Sequence, residues 1–350
     1  MTATHIPNDP LVSIIVPARN EEAGLRTCLE SLLAQAGVAF EIIVVDDHST
    51  DRTREIASSF SPQHVRVIDA GPLPVGWTGK NNAVTSGARA AHGTWLLFTD
   101  ADTVHLHGSL ARSLEEAARH GAALLSYSPQ QVVKSLAEKA VMPVIFAELA
   151  ATFRPSLVSD PHSPAAAANG QYILIRREAY DAVGGHAAVA GNLLEDVALA
   201  RAVKQSGRKI FFRYAGDAVR ARMYRTFAQL REGWTKNLAL LFPSPVQLAT
   251  LRIIEFVLIL SSFAIAIASA FHGHPRQAIL AAMLCLLLYS FLLRRIRRAH
   301  FSRDANLLAT FGLPLFSYLL LRSAKAHANG SVFWKGRKYS DETSLLATGH

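Results

Sequence analysis

The sequence predicts an α/β protein: a first domain over residues 1–250 built on a mainly parallel sheet covered on both faces, then a membrane module over residues 251–350. Three observations point there. Short β-branched or aromatic runs alternate with helix-like stretches along the first part of the chain. After Pro243 and Pro245 the composition turns abruptly apolar. The charge also divides unevenly, with 24 Lys and Arg against 23 Asp and Glu in residues 1–250 but 12 against 4 in residues 251–350. Half of the 350 residues are hydrophobic and 18% are charged, with a mean hydropathy of +0.19. That balance excludes a disordered chain and argues against an ordinary soluble enzyme.

Taken in order, the predicted strands are Val12–Val16, Glu41–Val45, Val65–Ile68 and Trp95–Phe98, with helices expected near 21–35, 51–60, 80–91 and 108–120. Regular βαβα order implies parallel strands with helices on both faces. Ligands of such sheets bind beyond the carboxyl ends of the strands, so those ends should carry the chemistry. The first strand runs into Pro17-Ala18-Arg19-Asn20-Glu21, the second into Asp46-Asp47-His48-Ser49-Thr50-Asp51, and the fourth into Asp100-Ala101-Asp102. No G-x-G-x-x-G follows the first strand and no G-x-x-x-x-G-K-[ST] occurs anywhere, which removes the usual dinucleotide and P-loop readings. Asp100 and Asp102 put two hard oxygen donors on alternate residues, a pattern suited to Mg²⁺ or Mn²⁺ with a sugar hydroxyl or metal-bound water. Asp-x-Asp alone is weak, and Asp46, Asp47 and Asp51 equally suit the capping of a following helix. The acidic strand ends gain weight from their order.

Gly71 to Ala83 (GPLPVGWTGKNNA) holds two glycine-flanked turns that end at Lys80, where a helix begins. A cation and free backbone N–H groups at such a point suit a phosphate, although a surface loop with Trp77 tucked against the domain explains the same residues. His105 and His107 lie two apart with no third ligand nearby in sequence, and read as a solvated loop rather than a metal site.

These residues, with Glu195-Asp196-Val197-Ala198-Leu199 further on, closely resemble the ordered motif series of inverting family 2 glycosyltransferases with the GT-A fold, a Rossmann-like, mainly parallel α/β architecture. The resemblance covers about residues 11–240. It implies a UDP-sugar donor held by Pro17, Arg19, Glu21, Asp47, Lys80 and Asp100, a metal held by Asp100 and Asp102, and Asp196 as the general base. Gly170, Glu195 and Trp234 would lie on the acceptor side. Chemistry asks for the same types: a diphosphate leaving group needs neutralising by a Lewis acid, and the acceptor hydroxyl needs a carboxylate to take its proton. One base without a nucleophile implies a single displacement with inversion.

Pro74-x-Gly76-Trp77-x-Gly79-Lys80, the stretch Ala168 to Tyr180 with Gly184-Gly185-His186, and the tail Val332 to Tyr339 (VFWKGRKY) resemble a membrane subgroup that glycosylates carotenoid, hopanoid or other lipids. Leu230-Arg231-Glu232-Gly233-Trp234 keeps only the Trp of the [Gln/Arg]-x-x-Arg-Trp motif of processive polysaccharide synthases, which argues against polymer synthesis. The expected activity is transfer of one sugar to a hydroxyl of a lipophilic acceptor; a polysaccharide synthase and a non-catalytic nucleotide-sugar-binding subunit are the alternatives.

In the membrane module, apolar helices are expected near 253–271, 278–293 and 306–321. The loop between the first two holds only Arg276, whereas the next holds Arg294, Arg295, Arg297, Arg298 and Arg303. The positive-inside rule then puts the first domain and the Arg cluster on the cytoplasmic face of the inner membrane, with a multi-pass anchor. Met1–Pro10 shows no basic stretch followed by an apolar one, so no secretion signal is expected. Gly312 and Pro314 interrupt the third run: a full crossing would put the basic tail outside, and a broken or re-entrant helix would leave it inside. Leu136–Val158 is apolar in patches but carries Glu138, Lys139, Glu148 and Arg154, too polar to span; it reads as an interfacial amphipathic helix or a core helix. The basic excess belongs to this module, so anionic headgroups rather than nucleic acid are its expected partners. Two cysteines, Cys28 and Cys285, make no disulfide framework.

Overall fold

The computed structural model describes residues 11–60 and 65–339, so the Met1–Pro10 start lies outside the described residues. The strands are β1 Val12–Ala18, β2 Phe40–Asp46, β3 Val65–Asp69, β4 Trp95–Phe98, β5 Thr103–His105, β6 Leu124–Ser128, β7 Gln130–Gln131, β8 Ile173–Arg176, β9 Ile210–Tyr214, β10 Val219–Ala221, β11 Val332–Trp334 and β12 Arg337–Tyr339. The helices are α1 Leu25–Leu33, α2 Thr53–Ser58, α3 Gly79–Ala90, α4 Ser109–His120, α5 Leu136–Thr152, α6 Pro155–Ser159, α7 Arg177–Ala182, α8 Glu195–Gln205, α9 Phe227–Leu241, α10 Pro245–Phe271, α11 Pro275–Ile296 and α12 Arg303–Ala328.

Two compact units result. The first takes the chain up to Val132, Phe153–Met223 and the segment from Lys335; the second takes Val133–Thr152 and Tyr224–Trp334. The expected division at residue 250 therefore falls elsewhere. Helix α5 leaves the first domain's sequence for the second unit, residues 224–250 go with it, and the tail returns to the first.

The first unit is built on a seven-stranded sheet of order β3-β2-β1-β4-β8-β6-β9. β1 pairs parallel with both β2 and β4, while β8 runs antiparallel between β4 and β6. Both faces are covered, which is why the strands are β-branched throughout rather than alternating. Ile14 and Val16 face the cluster holding Leu25, Leu29 and Leu32 of α1; Ile15 faces the opposite cluster with Ala83 and Val84 of α3. The strand order reverses at β1, between β2 and β4, so the crevice past the carboxyl ends of β1 and β4 is the switch point.

The second unit is helical. Leu136–Ser159, Pro245–Phe271, Pro275–Ala299 and Arg303–Ala328 are long and apolar enough to cross a membrane by length and composition. Helices α10 and α11 expose Ile254, Val257, Phe263, Leu280, Met283 and Leu286. Helix α5 is a core helix of this unit, with Val141, Met142, Ile145 and Ala147 buried. Three of the charges that made it look too polar, Glu138, Lys139 and Glu148, are partnered. Glu138 accepts from the N–H groups of Lys134 and Ser135 at the helix start, and Lys139 pairs with Asp304 at 2.7 Å. Glu148 joins a four-residue network: Arg252 bonds it at 2.9 Å and Glu255 at 3.0 Å, and Arg295 lies 2.8 Å from Glu255 and 3.3 Å from Glu148. Two guanidiniums and two carboxylates cancel inside an apolar helical unit.

Helix α12 runs unbroken through Gly312 and Pro314, contrary to the expected interruption. A Cβ on Gly312 would lie 1.9 Å from the Ala140 carbonyl oxygen, so this glycine lets α12 and α5 touch backbone to backbone. Pro314 removes one N–H, but the helix is braced nearby: Ser317 Oγ donates to Ala249 O at 2.9 Å and Ser323 Oγ to Thr235 O at 2.7 Å.

Candidate active site

Four pieces of the first unit converge past the strand ends. Helix α3 begins at Gly79 because Thr78 caps it, its hydroxyl accepting from Asn81 N–H at 3.1 Å. Asn81 Nδ2 donates to Val189 O and Ala190 O at 2.9 and 2.7 Å, and Asn82 Nδ2 to Ala70 O at 3.1 Å, so two amides stitch this helix start to the neighbouring loops. Lys80 is thereby aimed at the carboxylates: its Nζ lies 2.8 Å from Asp100 Oδ1 and 2.9 Å from Glu195 Oε1. Burial alone would push its ammonium down, but Asp100 and Glu195 hold it well above the usual lysine value.

Asp196 sits in the first turn of α8, where the helix dipole favours a carboxylate. Its Oδ2 accepts from Gly170 N–H at 2.9 Å and its Oδ1 from Val197 N–H at 2.8 Å. Burial and the adjacent Glu195 nevertheless push its pKa up to about 6, against the pull of Lys80 and those two N–H groups. Gly170 lies where the charges meet: a Cβ there would stand 2.9 Å from Lys80 Nζ and 3.5 Å from both Asp196 Oδ2 and Glu195 Oε1.

Nearer β1 and β2, Arg19 Nη1 donates to Asp47 O at 2.7 Å, and Asn20 Oδ1 accepts from Thr50 N–H at 2.8 Å. Asp51 is a local cap, accepting from Thr53 N–H at 2.9 Å and Glu22 N–H at 3.1 Å. Pro17, Lys80, Asp100, Gly170, Glu195 and the buried His186 line one small pocket. Trp234 belongs to the other unit. It lies in the second unit, buried, with Nε1–H donating to Met142 Sδ at 3.3 Å and its ring edge-on to Phe146. His105 is also not in a solvated loop: it is buried on β5 against the Thr99 and Thr103 hydroxyls, and burial pushes its pKa down to about 3.

Residues 13–184 match the family model described as Glycosyl transferase family 2. The chain carries a glycosyl transferase family 2 domain. A Staphylococcus aureus (strain USA300) protein named 4,4'-diaponeurosporenoate glycosyltransferase is 30% identical over 240 residues, covering 66% of this chain and 62% of the relative; its counterpart in strain MRSA252 matches equally. The chain thus spans less than two thirds of the length of these curated relatives. Among solved structures, a mannosyltransferase from Pyrobaculum calidifontis in complex with GDP-Man and Mn²⁺ aligns at TM-score 0.49 and 17% identity, over 92% of this chain and 88% of that one. Glucosyl-3-phosphoglycerate synthase from Mycobacterium tuberculosis with Mn²⁺ and UDP-Glc aligns at 0.41 and 23%, over 65% of this chain and 78% of that one. The family 2 domain here is mixed α/β around a mainly parallel sheet, and apolar helices follow it.

Within this domain Asp102 is the carboxylate placed to meet a divalent cation. Its Oδ1 is shut off from solvent and has no hydrogen-bond partner. Burial, then Asp100 and Glu21, push its pKa up to about 7, and a divalent cation beside it would favour the charged form. Among the described residues no three His, Cys, Asp or Glu side chains gather into a complete cage. A Mg²⁺ or Mn²⁺ ion can also be bound by one or two carboxylates and completed by substrate phosphates.

Sequence reasoning missed the cations that meet Glu21 and Asp47. Lys335 pairs with Glu21, and Arg337 Nη2 donates to Asp47 Oδ1 at 2.9 Å. The tail was conspicuous as a motif, but nothing local in it names its partners some 300 residues earlier. His186, whose ring shares a 3.0 Å bond with Tyr180 OH beside the same pocket, was likewise legible only as part of a Gly-Gly-His string.

Proposed function

We propose that this protein is a membrane-bound, inverting glycosyltransferase that moves one sugar from a UDP-sugar to a hydroxyl of a lipophilic, carotenoid-like acceptor. The observation that carries the reading is the gathering of Lys80, Asp100, Glu195, Asp196 and Gly170 past the carboxyl ends of the sheet, within a family 2 domain. The named Staphylococcus relatives support the acceptor class.

In this reading Pro17, Arg19, Glu21 and Asp47 receive the nucleoside, and Lys80 faces the donor phosphates while balancing Asp100. Asp100 and Asp102 would hold Mg²⁺ or Mn²⁺, which when bound neutralises charge developing on the leaving diphosphate. Asp196 takes the proton of the acceptor hydroxyl as its oxygen bonds to the anomeric carbon; the bond from that carbon to the diphosphate breaks on the opposite face, and UDP leaves. The Gly170 and Val197 N–H groups fix the Asp196 carboxylate, and burial, then Glu195, raise its pKa to about 6 and so its basicity toward the hydroxyl proton.

Chain connectivity supports a membrane hairpin. Val132 and Phe153, on either side of α5, both belong to the first unit, as do Met223 and Lys335 on either side of α9–α12. A folded unit does not straddle a bilayer, so α5 does not cross, and α10–α12 cross an even number of times. Helices α10 and α11, the most lipid-ready by exposure, form the crossing pair, and the tail stays on the cytoplasmic side with the catalytic domain. Full-length protein in detergent, incubated with a panel of UDP-sugars and extracted membrane lipids, should yield a lipid heavier by one hexose unit by mass spectrometry. Polymeric product, or no UDP release with any donor, would sink the reading.

A further inference from the structure

The two acids given to the donor nucleoside are each held by a cation from the chain's own tail. Lys335 Nζ pairs with Glu21 and donates to Arg19 O at 2.8 Å, while Arg19 Nε returns a bond to Lys335 O at 3.3 Å. Arg337 grips Asp47 through both terminal nitrogens, Nη2 at 2.9 Å from Oδ1. Lys335 reaches this position in the left-handed backbone region (φ 47°), followed by Gly336 (φ 77°) in the same region. The fold leaves space for the guanidinium: a Cβ on Gly79 would fall 1.6 Å from Arg337 Nη1. Nothing but glycine at the start of α3 lets Arg337 lie there.

Charge gives these contacts a purpose. Glu21, Asp47, Asp100 and Asp102 surround the crevice that, in the proposed function, takes an anionic diphosphate. Lys80 is already committed to Asp100 and Glu195. We propose that Lys335 and Arg337 form a diphosphate clamp: they rest on Glu21 and Asp47, and when the nucleoside takes the hydrogen bonds of those acids, both cations transfer to the phosphate oxygens. The planar guanidinium suits paired phosphate oxygens, and Lys335 supplies a point charge. This rests on the donor-site reading above and adds to it the residues that fill the site before the donor arrives and hold its phosphates afterwards.

The test is calorimetric titration of full-length protein in detergent with UDP and, separately, uridine, both with Mn²⁺ present. Arg337→Ala and Lys335→Ala should each weaken UDP binding by about 10-fold or more, while uridine binding stays unchanged or tightens because its acids are freed. Arg337→Lys should recover part of the UDP affinity, separating charge from folding. UDP bound as tightly or more tightly by both alanine variants would make the tail a plain obstruction and overturn the clamp. An equal loss for uridine and UDP would also overturn it, as a mere pocket support. Wild-type protein that binds neither ligand overturns the donor site itself, and the clamp with it.

Discussion

Replacing Asp196 with Asn keeps the shape of the side chain and removes its basicity. The carboxylate accepts two backbone N–H groups, from Gly170 at 2.9 Å and Val197 at 2.8 Å. An amide offers one oxygen, so one of those N–H groups is left facing an NH₂, at a cost of about 1–3 kcal/mol. The larger effect is chemical: loss of a positioned base should lower kcat by about 10²–10⁴. The wild-type pH profile gives a second reading. With the Asp196 carboxyl pushed up to about 6 by burial and then Glu195, the group is protonated below that pH and cannot accept the hydroxyl proton. Activity is therefore complete above the shifted value and falls by about tenfold per pH unit below it. The assay is transfer of radiolabelled sugar from UDP-sugar to extracted lipid, with kcat measured across this range in both proteins. The Asn variant should lose the acid limb and keep its KM for the donor. A variant retaining more than about a tenth of the wild-type kcat, or one that keeps the same acid limb, refutes Asp196 as the base.

Three further outcomes follow from the geometry. Asp102→Asn should abolish the Mn²⁺-dependent part of UDP affinity, a loss larger than the about 10-fold that even outer partners of a metal site command; equal UDP affinity with and without Mn²⁺ in the wild type would count against the site. Glu148→Ala leaves Arg252 and Arg295 sharing Glu255 alone, and should destabilise the helical unit by about 3–5 kcal/mol in thermal unfolding in detergent; an unchanged transition would show that the network carries little. Gly312→Ala drives a methyl into the Ala140 carbonyl and should cost about 1–3 kcal/mol by the same measurement, with no loss expected if α12 and α5 are not in fact packed this closely.

The α/β order and the acidic strand ends were legible because both are local. β-Branched runs mark strands buried on two faces, and Glu21, Asp47, Asp100 and Asp102 follow those strands directly in sequence. Strands β6, β8 and β9 were not read, since Leu124–Ser128 and Ile173–Arg176 are short and lack a βαβ rhythm. The antiparallel insertion of β8 is fixed by its neighbours, not by its own residues. His105 was misread for a related reason: whether a polar side chain is buried depends on what packs over it, which local pattern does not encode.

The sequence by itself determined the class of chemistry. Residue types carry their own pKa range, charge and donor capacity, so ordered acids at strand ends raise the expectation of a polar crevice there, and long apolar runs that of helices long enough to cross a membrane. Tertiary structure alone decided who faces whom. It set Lys80 between Asp100 and Glu195, gave Asp196 its raised pKa through burial, kept α12 whole despite Pro314 and laid Lys335 and Arg337 on Glu21 and Asp47. Each of these is a distance between residues far apart in the chain, and electrostatic and packing energies depend on that distance rather than on sequence separation.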